Sequence, residues 1–287
     1  MSKHKDVTTA LDRHLIEAAD DMLDTSLDSL CQRESLGSAE TIHQVRVGMK
    51  RLRAFLRLAR PALAEESYRE LNSRCRTLAA DLSGQRDADV ALETLQGLVP
   101  EEKALIDRME ALLHGAEATS ASRPPDWDAL EARLQALKQQ VHADLRKGMP
   151  CRALKKTVCK SFRQCMHMWK EARRDDSEEV LHEWRKQVKR VYYQSLLLTE
   201  KKKAKQLRRL KQLSDYLGDL HDLDMLVERL ELQRRYFWLD ELVRVARKID
   251  LEREGLHKNA LREAERLFDD KSAKTLGKRL VRKSHWC

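Results

Sequence analysis

Turn-forming residues are scarce in this 287-residue chain, which contains only 9 glycines and 5 prolines. Folds made of many short strands need tight turns at close intervals, so this scarcity argues against a sandwich or a barrel. Apolar residues instead recur at spacings of three and four, as in Leu11, Leu15, Ala18 and Met22. That period is typical of amphipathic helices. The sequence predicts an all-α protein.

Glycines and prolines also predict where the helices end. A first helix ends near Gly37 and a second stops at Pro61. Further helices are predicted over 65–83, from about 87 to 114 with an interruption at 99–100, and over 127–147, 150–174, 178–199, 203–217 and 221–250. Residues 115–127, GAEATSASRPPDW, are typical of a linker. We therefore divide the chain into a first helical half (1–118), a linker (119–126) and a second helical half (127–287) with a charged C-terminal tail.

The positive charge of the chain is concentrated in two segments. The formal net charge is +9, but residues 41–64 contain six arginines and lysines and no acid, and residues 184–214 contain eleven against the single acid Glu200. The rest of the chain is therefore net negative. Charge concentrated in this way indicates a polyanionic partner more than general solubility.

Both basic segments contain the same short motif. IHQVRVGMKRLR at 42–53 aligns with LHEWRKQVKRVY at 181–192, and a second pair, CRTLAADLSGQRDADV at 75–90 and LKQLSDYLGDLHDLDM at 210–225, follows in the same order. Two matched motifs at nearly constant offset indicate an internal duplication. We predict two pseudo-symmetric four-helix bundles.

Spacing places the basic residues of each copy on one side of a helix. His43, Arg46, Lys50, Arg53 and Arg57 recur at intervals of three and four, opposite an apolar stripe. Such like charges repel one another when no anion is present. If the two copies face each other, their basic stripes border a shared groove or cavity that an extended anion would stabilise. Arginine offers forked donors to phosphate oxygens, and lysine offers a point charge.

These motifs resemble a known family. His43-x-x-Arg46-Val47-x-x-Lys50-Arg51-Leu52-Arg53 and Leu82-x-x-x-Arg86-Asp87-x-Asp89 are similar to the two signatures of the CHAD family, the conserved histidine α-helical domain. The resemblance extends over roughly residues 5–270. It implies two helical bundles around a basic cavity, binding of inorganic polyphosphate, and association with polyphosphate granules. Tyr192 departs from the pattern, because it stands where the first copy has Arg53.

Together, the stripes and the resemblance predict a set of polyphosphate-binding residues. They are His43, Arg46, Lys50, Arg51, Arg53, Arg57, Arg76, Arg86, His182, Arg185, Lys189, Arg190, Arg208, Lys211 and His221. For Asp87 and its counterpart Asp222, helix capping or the orientation of a basic neighbour is the preferred role.

Two other functions remain open at this point. Nucleic-acid binding is the stronger alternative, because Trp184, Tyr192 and Tyr193 adjoin the second stripe and could stack on bases. The doublet His221-Asp222 suggests a metal-dependent phosphohydrolase, but the aligned first copy has Arg86-Asp87, and arginine does not ligate cations. A helical scaffold that recruits proteins is a third possibility.

No catalytic motif accompanies the basic stripes. Some relatives of the family contain a triphosphate-hydrolysing domain with a Glu-x-Glu-x-Lys motif, and the sequence contains neither that motif nor a P-loop. We expect a binding protein that is not an enzyme and needs no cofactor or metal. There is no apolar stretch of about 20 residues and no apolar segment near the start, so we expect a cytoplasmic protein with no membrane partner.

Overall fold

The computed structural model describes residues 10–119, 125–145, 151–198 and 205–268, and every regular element in these ranges is helical. The prediction of an all-α fold is confirmed. The helices are α1 (Ala10–Cys31), α2 (Arg33–Leu36), α3 (Ser38–Ala59), α4 (Glu65–Asp81), α5 (Ser83–Leu98), α6 (Lys103–Thr119), α7 (Trp127–Asp144), α8 (Cys151–Ala172), α9 (Glu178–Leu198), α10 (Lys205–Leu232) and α11 (Leu239–Phe268). Single 3-10 turns occur at Arg60–Ala62 and Arg234–Tyr236.

Two glycines shape the N-terminal helices. Gly37 has φ 81°, a left-handed conformation that glycine adopts without strain, and it separates α2 from α3. Gly48 lies where α3 crosses α1, and a Cβ at this position would come within 2.1 Å of the Ser26 hydroxyl oxygen. A side chain at position 48 would therefore force the Ser26 hydroxyl to rotate away from its hydrogen bond to the Met22 carbonyl.

The helices α3 and α9 lie at the centre of the packing. α3 packs against α1, α4 and α9, whereas α9 packs against α3, α8 and α10. α10 also packs against α5 and α11, and α7 packs against α1 and α4. The central helices bury large apolar side chains, including Leu52, Phe55 and Trp184. Burial on one side of each central helix directs its basic side chains toward the other side.

Several helix boundaries differ from the sequence-based prediction. α5 begins at Ser83 rather than near residue 87, and α6 continues to Thr119, so residues 115–119 of the predicted linker are helical. α10 is continuous through Gly218, where a break was predicted, because Leu217 and Leu220 continue its buried stripe. The break lies instead at residues 233–238, before α11. Among the described helices, none is both long and apolar enough to span a bilayer.

Candidate functional site

Two basic helices from distant parts of the sequence face each other in the structure. α3 and α9 pack directly together, and the side-chain amide of Gln194 donates a hydrogen bond to the backbone carbonyl of Ala54 at 3.2 Å. Nearby, the guanidinium carbon of Arg51 lies 6.0 Å from the ring centroid of Tyr193. The two predicted basic stripes therefore border one space.

A cavity of about 270 Å³ lies between these helices, and we call it the basic groove. Besides Ala54 and Tyr193, it is lined by basic residues and a histidine: Lys50, Arg53 and Arg57 from α3, and His182, Arg185, Lys186, Lys189 and Arg190 from α9. Among the described residues, no carboxylate lines it. The helical period aligns these side chains, as the sequence predicted for most of them.

Burial lowers the proton affinity of both lysines in the basic groove. The pKa of Lys50 falls to about 8, first because its ammonium is buried and then because Arg185 and Arg46 are close. The pKa of Lys189 falls to about 7 for the same first reason and then through Arg185 and Lys50. Nearby carboxylates oppose these shifts but do not cancel them. The basic groove therefore contains positive charge that the protein itself does not fully compensate.

Arg185 is the most confined cation of the basic groove. Burial lowers its pKa, and the charge of Asp222 only partly opposes that shift. Its Nε atom is buried and has no hydrogen-bond partner in the part of the chain that the structure describes. An unmatched buried donor costs roughly 1–3 kcal/mol. An anion in the basic groove could supply the missing acceptor.

A pair of histidines adjoins the basic groove. The ring centroids of His182 on α9 and His221 on α10 are 5.1 Å apart. Burial, followed by the charge of Arg185, lowers the pKa of His221 to about 3, and burial followed by Lys186 also lowers the pKa of His182. Both rings are therefore neutral near pH 7, and each can donate through one N–H.

Comparison with known proteins identifies the family. The sequence-family model of the CHAD domain matches residues 21–231 of this chain. The chain belongs to the CHAD family. The crystal structure of the CHAD domain from the plant Ricinus communis has a TM-score of 0.56 and 21% identity, with 96% of this chain and 92% of that chain covered. This likeness shows a shared fold. No curated protein sequence matches the chain.

The first CHAD motif divides its cations between the basic groove and the protein interior. Arg46 donates through Nη1 to the backbone carbonyl of Leu82 at 2.8 Å, and its Nη2 lies 3.4 Å from the Asp87 carboxylate. Asp87 thus orients a basic neighbour, the role that the sequence predicted for it. Arg46 is not among the residues that line the basic groove. Its contacts join α3 to the α4–α5 junction.

Seven of the predicted CHAD site residues line the basic groove: Lys50, Arg53, Arg57, His182, Arg185, Lys189 and Arg190. Others lie elsewhere. Arg76 and Arg208 are exposed on α4 and α10, and Lys211 forms an ion pair with Asp215 at 2.8 Å. His43 is half-buried on α3 outside the groove lining. The side chain of Arg86 lies outside the described residues, although its backbone belongs to α5.

Lys186 lines the basic groove but was not predicted as a site residue. It lies one helical turn after His182 and forms an ion pair with Glu183. The aligned motifs did not indicate Lys186 as a site residue, because the corresponding position of the first copy is Val47. Its place within the acid-poor segment 184–214 was the available signal.

The carboxylates near His221 have protein partners. Asp224 receives an ion pair from Arg253 at 2.6 Å, and Asp222 acts electrostatically on Arg185. Within the described ranges, no group of three or more His, Cys, Asp or Glu side chains is arranged to hold a metal ion. These observations give no support to the metal-dependent alternative.

Proposed function

We propose that this CHAD protein binds inorganic polyphosphate in the basic groove. The supporting observation is that two helices from different halves of the sequence border a cavity in which seven of the ten lining residues are lysines or arginines. A linear chain of phosphates carries negative charge on every repeat and needs no room for bases or sugars. Arginine forks, lysine ammonium groups and neutral histidine N–H groups are all donors to phosphate oxygens. The CHAD family is associated with polyphosphate binding in general.

The geometry favours a slender ligand over a nucleic-acid duplex. A recessed cavity of about 270 Å³ cannot admit a double helix, whose exposed phosphates would instead need an outward basic face. Single-stranded nucleic acid is the remaining competitor, because Tyr193 lines the basic groove and offers one aromatic ring. Its ring is already approached by Arg51, and base binding by stacking normally uses successive aromatic platforms. We therefore place nucleic acid second.

We infer that the protein is a binding module without catalytic activity. Among the described residues that line the basic groove, there is no serine or cysteine nucleophile and no carboxylate to hold a metal ion, so we assign His182 and the lysines to ligand binding. Binding of long polyphosphate by such a module would place the protein at polyphosphate granules. An assay for phosphate release from polyphosphate with Mg²⁺ or Mn²⁺ tests this point, and we expect no release above the protein-free blank.

Competition between two labelled polyanions tests the proposed ligand. Fluorescent single-stranded DNA is bound at physiological salt and displaced with long-chain polyphosphate, and the experiment is then reversed. We expect polyphosphate to displace the DNA at much lower phosphate concentration than the DNA needs to displace polyphosphate. Arg185→Gln should weaken polyphosphate binding, because it removes the confined guanidinium. Equal or stronger binding of DNA would overturn the proposal.

A further inference from the structure

Two further cavities lie beside the basic groove, the first between the two halves of the sequence and the second on the second half. The first, of about 480 Å³, shares Arg57 and Arg190 with the basic groove and adds Arg60 and Lys160. The second, also about 480 Å³, shares Lys160 and Gln164 with the first. Because neighbouring cavities share lining residues, the three lie side by side in a row from α3 and α9 onto α8.

The helix at the far end of this row of cavities is strongly basic. Residues 151–170 of α8 contain no acid and six cations: Arg152, Lys155, Lys156, Lys160, Arg163 and Lys170. The apolar face of α8 is buried through residues such as Leu154, Val158 and Phe162. Lys160 and Arg163 are exposed on the other side and line the farthest cavity. We call this surface the α8 track, defined by Lys160, Gln164 and Arg163.

Arg190 connects the basic groove to the α8 track. Its Nη1 donates to the side-chain carbonyl of Gln187 at 2.8 Å and lies 3.5 Å from that of Gln164. Both partners are neutral amides, so they orient the guanidinium without neutralising it. Burial, followed by the charge of Arg57, lowers the pKa of Arg190 to about 10. Positive charge therefore continues through the junction.

The acid that lines the middle cavity is already neutralised. Glu65 accepts two hydrogen bonds from Arg60, at 2.9 and 2.7 Å, and a third from Arg69 at 3.1 Å. Arg60 also lies 4.7 Å from the ring centroid of Tyr68. Because Arg60 and Glu65 are paired with each other, Arg57, Lys160 and Arg190 are the cations of this cavity whose charge is available to a ligand.

From this row of adjacent cavities and the cations they share, we infer that a long polyphosphate leaves the basic groove past Arg57 and Arg190 and continues along the α8 track to Lys160 and Arg163. The inference rests on the proposed polyphosphate binding in the basic groove. A short polyphosphate fills the basic groove alone, whereas a long one also gains the contacts on α8. The α8 track would therefore make affinity depend on chain length.

The test compares two ligands on one pair of substitutions. Lys160→Gln/Arg163→Gln is titrated with tripolyphosphate and with long-chain polyphosphate over a range of salt concentrations. Long-chain affinity should fall roughly tenfold, and the slope of log affinity against log salt should become shallower by about 1.4, at about 0.7 per lost phosphate contact. Tripolyphosphate affinity should not change.

A matched control removes the same charges from a helix that lines none of the three cavities. Lys258 and Arg262 are exposed on α11, so Lys258→Gln/Arg262→Gln changes the net charge equally. Its affinities and salt slopes should stay within error of wild type for both ligands. Thermal melts of both variants check that the helices remain folded, which we expect because all four side chains are exposed.

The outcomes separate this inference from the proposed function. If the α8 variant binds long-chain polyphosphate like wild type while Lys189→Gln weakens both polyphosphates, the α8 track is wrong and the basic groove stands. If wild type binds neither polyphosphate, the proposed function fails. If the α8 variant loses only single-stranded DNA binding, the track belongs to a nucleic acid and the inference is overturned.

Discussion

The side-chain amide of Gln194 donates a hydrogen bond to the backbone carbonyl of Ala54 across 3.2 Å, and both residues are buried. The bond joins α9 to α3 beside the basic groove, between residues that are 140 positions apart in the sequence. It therefore fixes the relative position of the two helices whose cations face each other.

Loss of this bond should weaken both the fold and the site. Gln194→Ala should lower the free energy of unfolding by about 1–3 kcal/mol, because it removes the hydrogen bond between α9 and α3 and opens space in the core. Polyphosphate affinity should fall as well, although Gln194 is not in the groove lining. Denaturant unfolding and ligand titration measure the two effects. Gln212→Ala, on the exposed part of α10, is the control and should change neither. An unchanged stability of Gln194→Ala would show that the bond does not hold the helices together.

Arg46 should be important for stability more than for ligand contact. Its bonds to the Leu82 carbonyl and the Asp87 carboxylate join α3 to the α4–α5 junction. Arg46→Ala should lower the free energy of unfolding by about 1.5–3 kcal/mol, the range for hydrogen bonds with a charged partner. The exposed neighbour Arg51→Ala is the comparison and should be within about 0.5 kcal/mol of wild type. If Arg46→Ala is as stable as Arg51→Ala, the assignment is wrong.

Ligand binding should take up protons at mildly alkaline pH. Lys50 and Lys189 have pKa values of about 8 and about 7 in the empty protein, so both are partly neutral at about pH 8. The negative charge of a bound phosphate chain raises the pKa of both lysines, because it offsets the repulsion from the neighbouring cations. Each lysine then takes up a proton. Calorimetry in two buffers of different ionisation enthalpy should detect uptake on the order of one proton at about pH 8 and almost none at about pH 6. Uptake that persists in the Lys50→Met/Lys189→Met variant would assign the protons to other groups.

At low pH, the ligand-free protein should be less stable than a variant in which an uncharged residue replaces one of these lysines. Between the folded pKa of Lys189, about 7, and its ordinary pKa of 10.5, the unfolded chain binds more protons than the folded chain. The contribution of Lys189 to the free energy of unfolding therefore rises with pH across that window. Lys189→Met should stabilise the protein most below about pH 7 and lose this advantage by about pH 10. Melting temperatures across that range provide the measurement. A stabilisation that does not vary with pH would indicate a packing effect.

The sequence predicted the elements whose signals are local. α3 ends at Ala59, close to Pro61 as predicted, although Arg60 keeps helical dihedrals (φ −47°, ψ −37°) and the chain passes through a 3-10 turn before it becomes extended at Leu63. The spacing of Lys50, Arg53 and Arg57 correctly placed them on one face, because the helical period alone decides it. Gly218 misled the prediction: a glycine can end a helix, but here Leu217 and Leu220 are buried on both sides of it.

Features that depend on tertiary contacts were beyond the sequence. Arg46 has the same spacing as the groove cations, but its acceptor is a backbone carbonyl 36 residues away. Similarly, the acid-free stretch of α8 is visible in the sequence, whereas its position beside Arg57 and Arg190 depends on how α8 packs on α9. The internal duplication stays a prediction from the aligned motifs.

The central claim is that one anion binds α3 and α9 at the same time. Titration of tripolyphosphate into Lys50→Gln, Lys189→Gln and the double variant at about pH 6.5 tests it most directly, with the exposed Lys258→Gln as control. Each groove variant should lose about 1.5–3 kcal/mol of binding free energy, the range for a hydrogen bond to a charged group, while remaining folded. The two losses should also be non-additive, as expected for neighbouring groups that share a partner. If either single variant binds like wild type while the other does not, the ligand contacts one helix alone and the shared basic groove is contradicted.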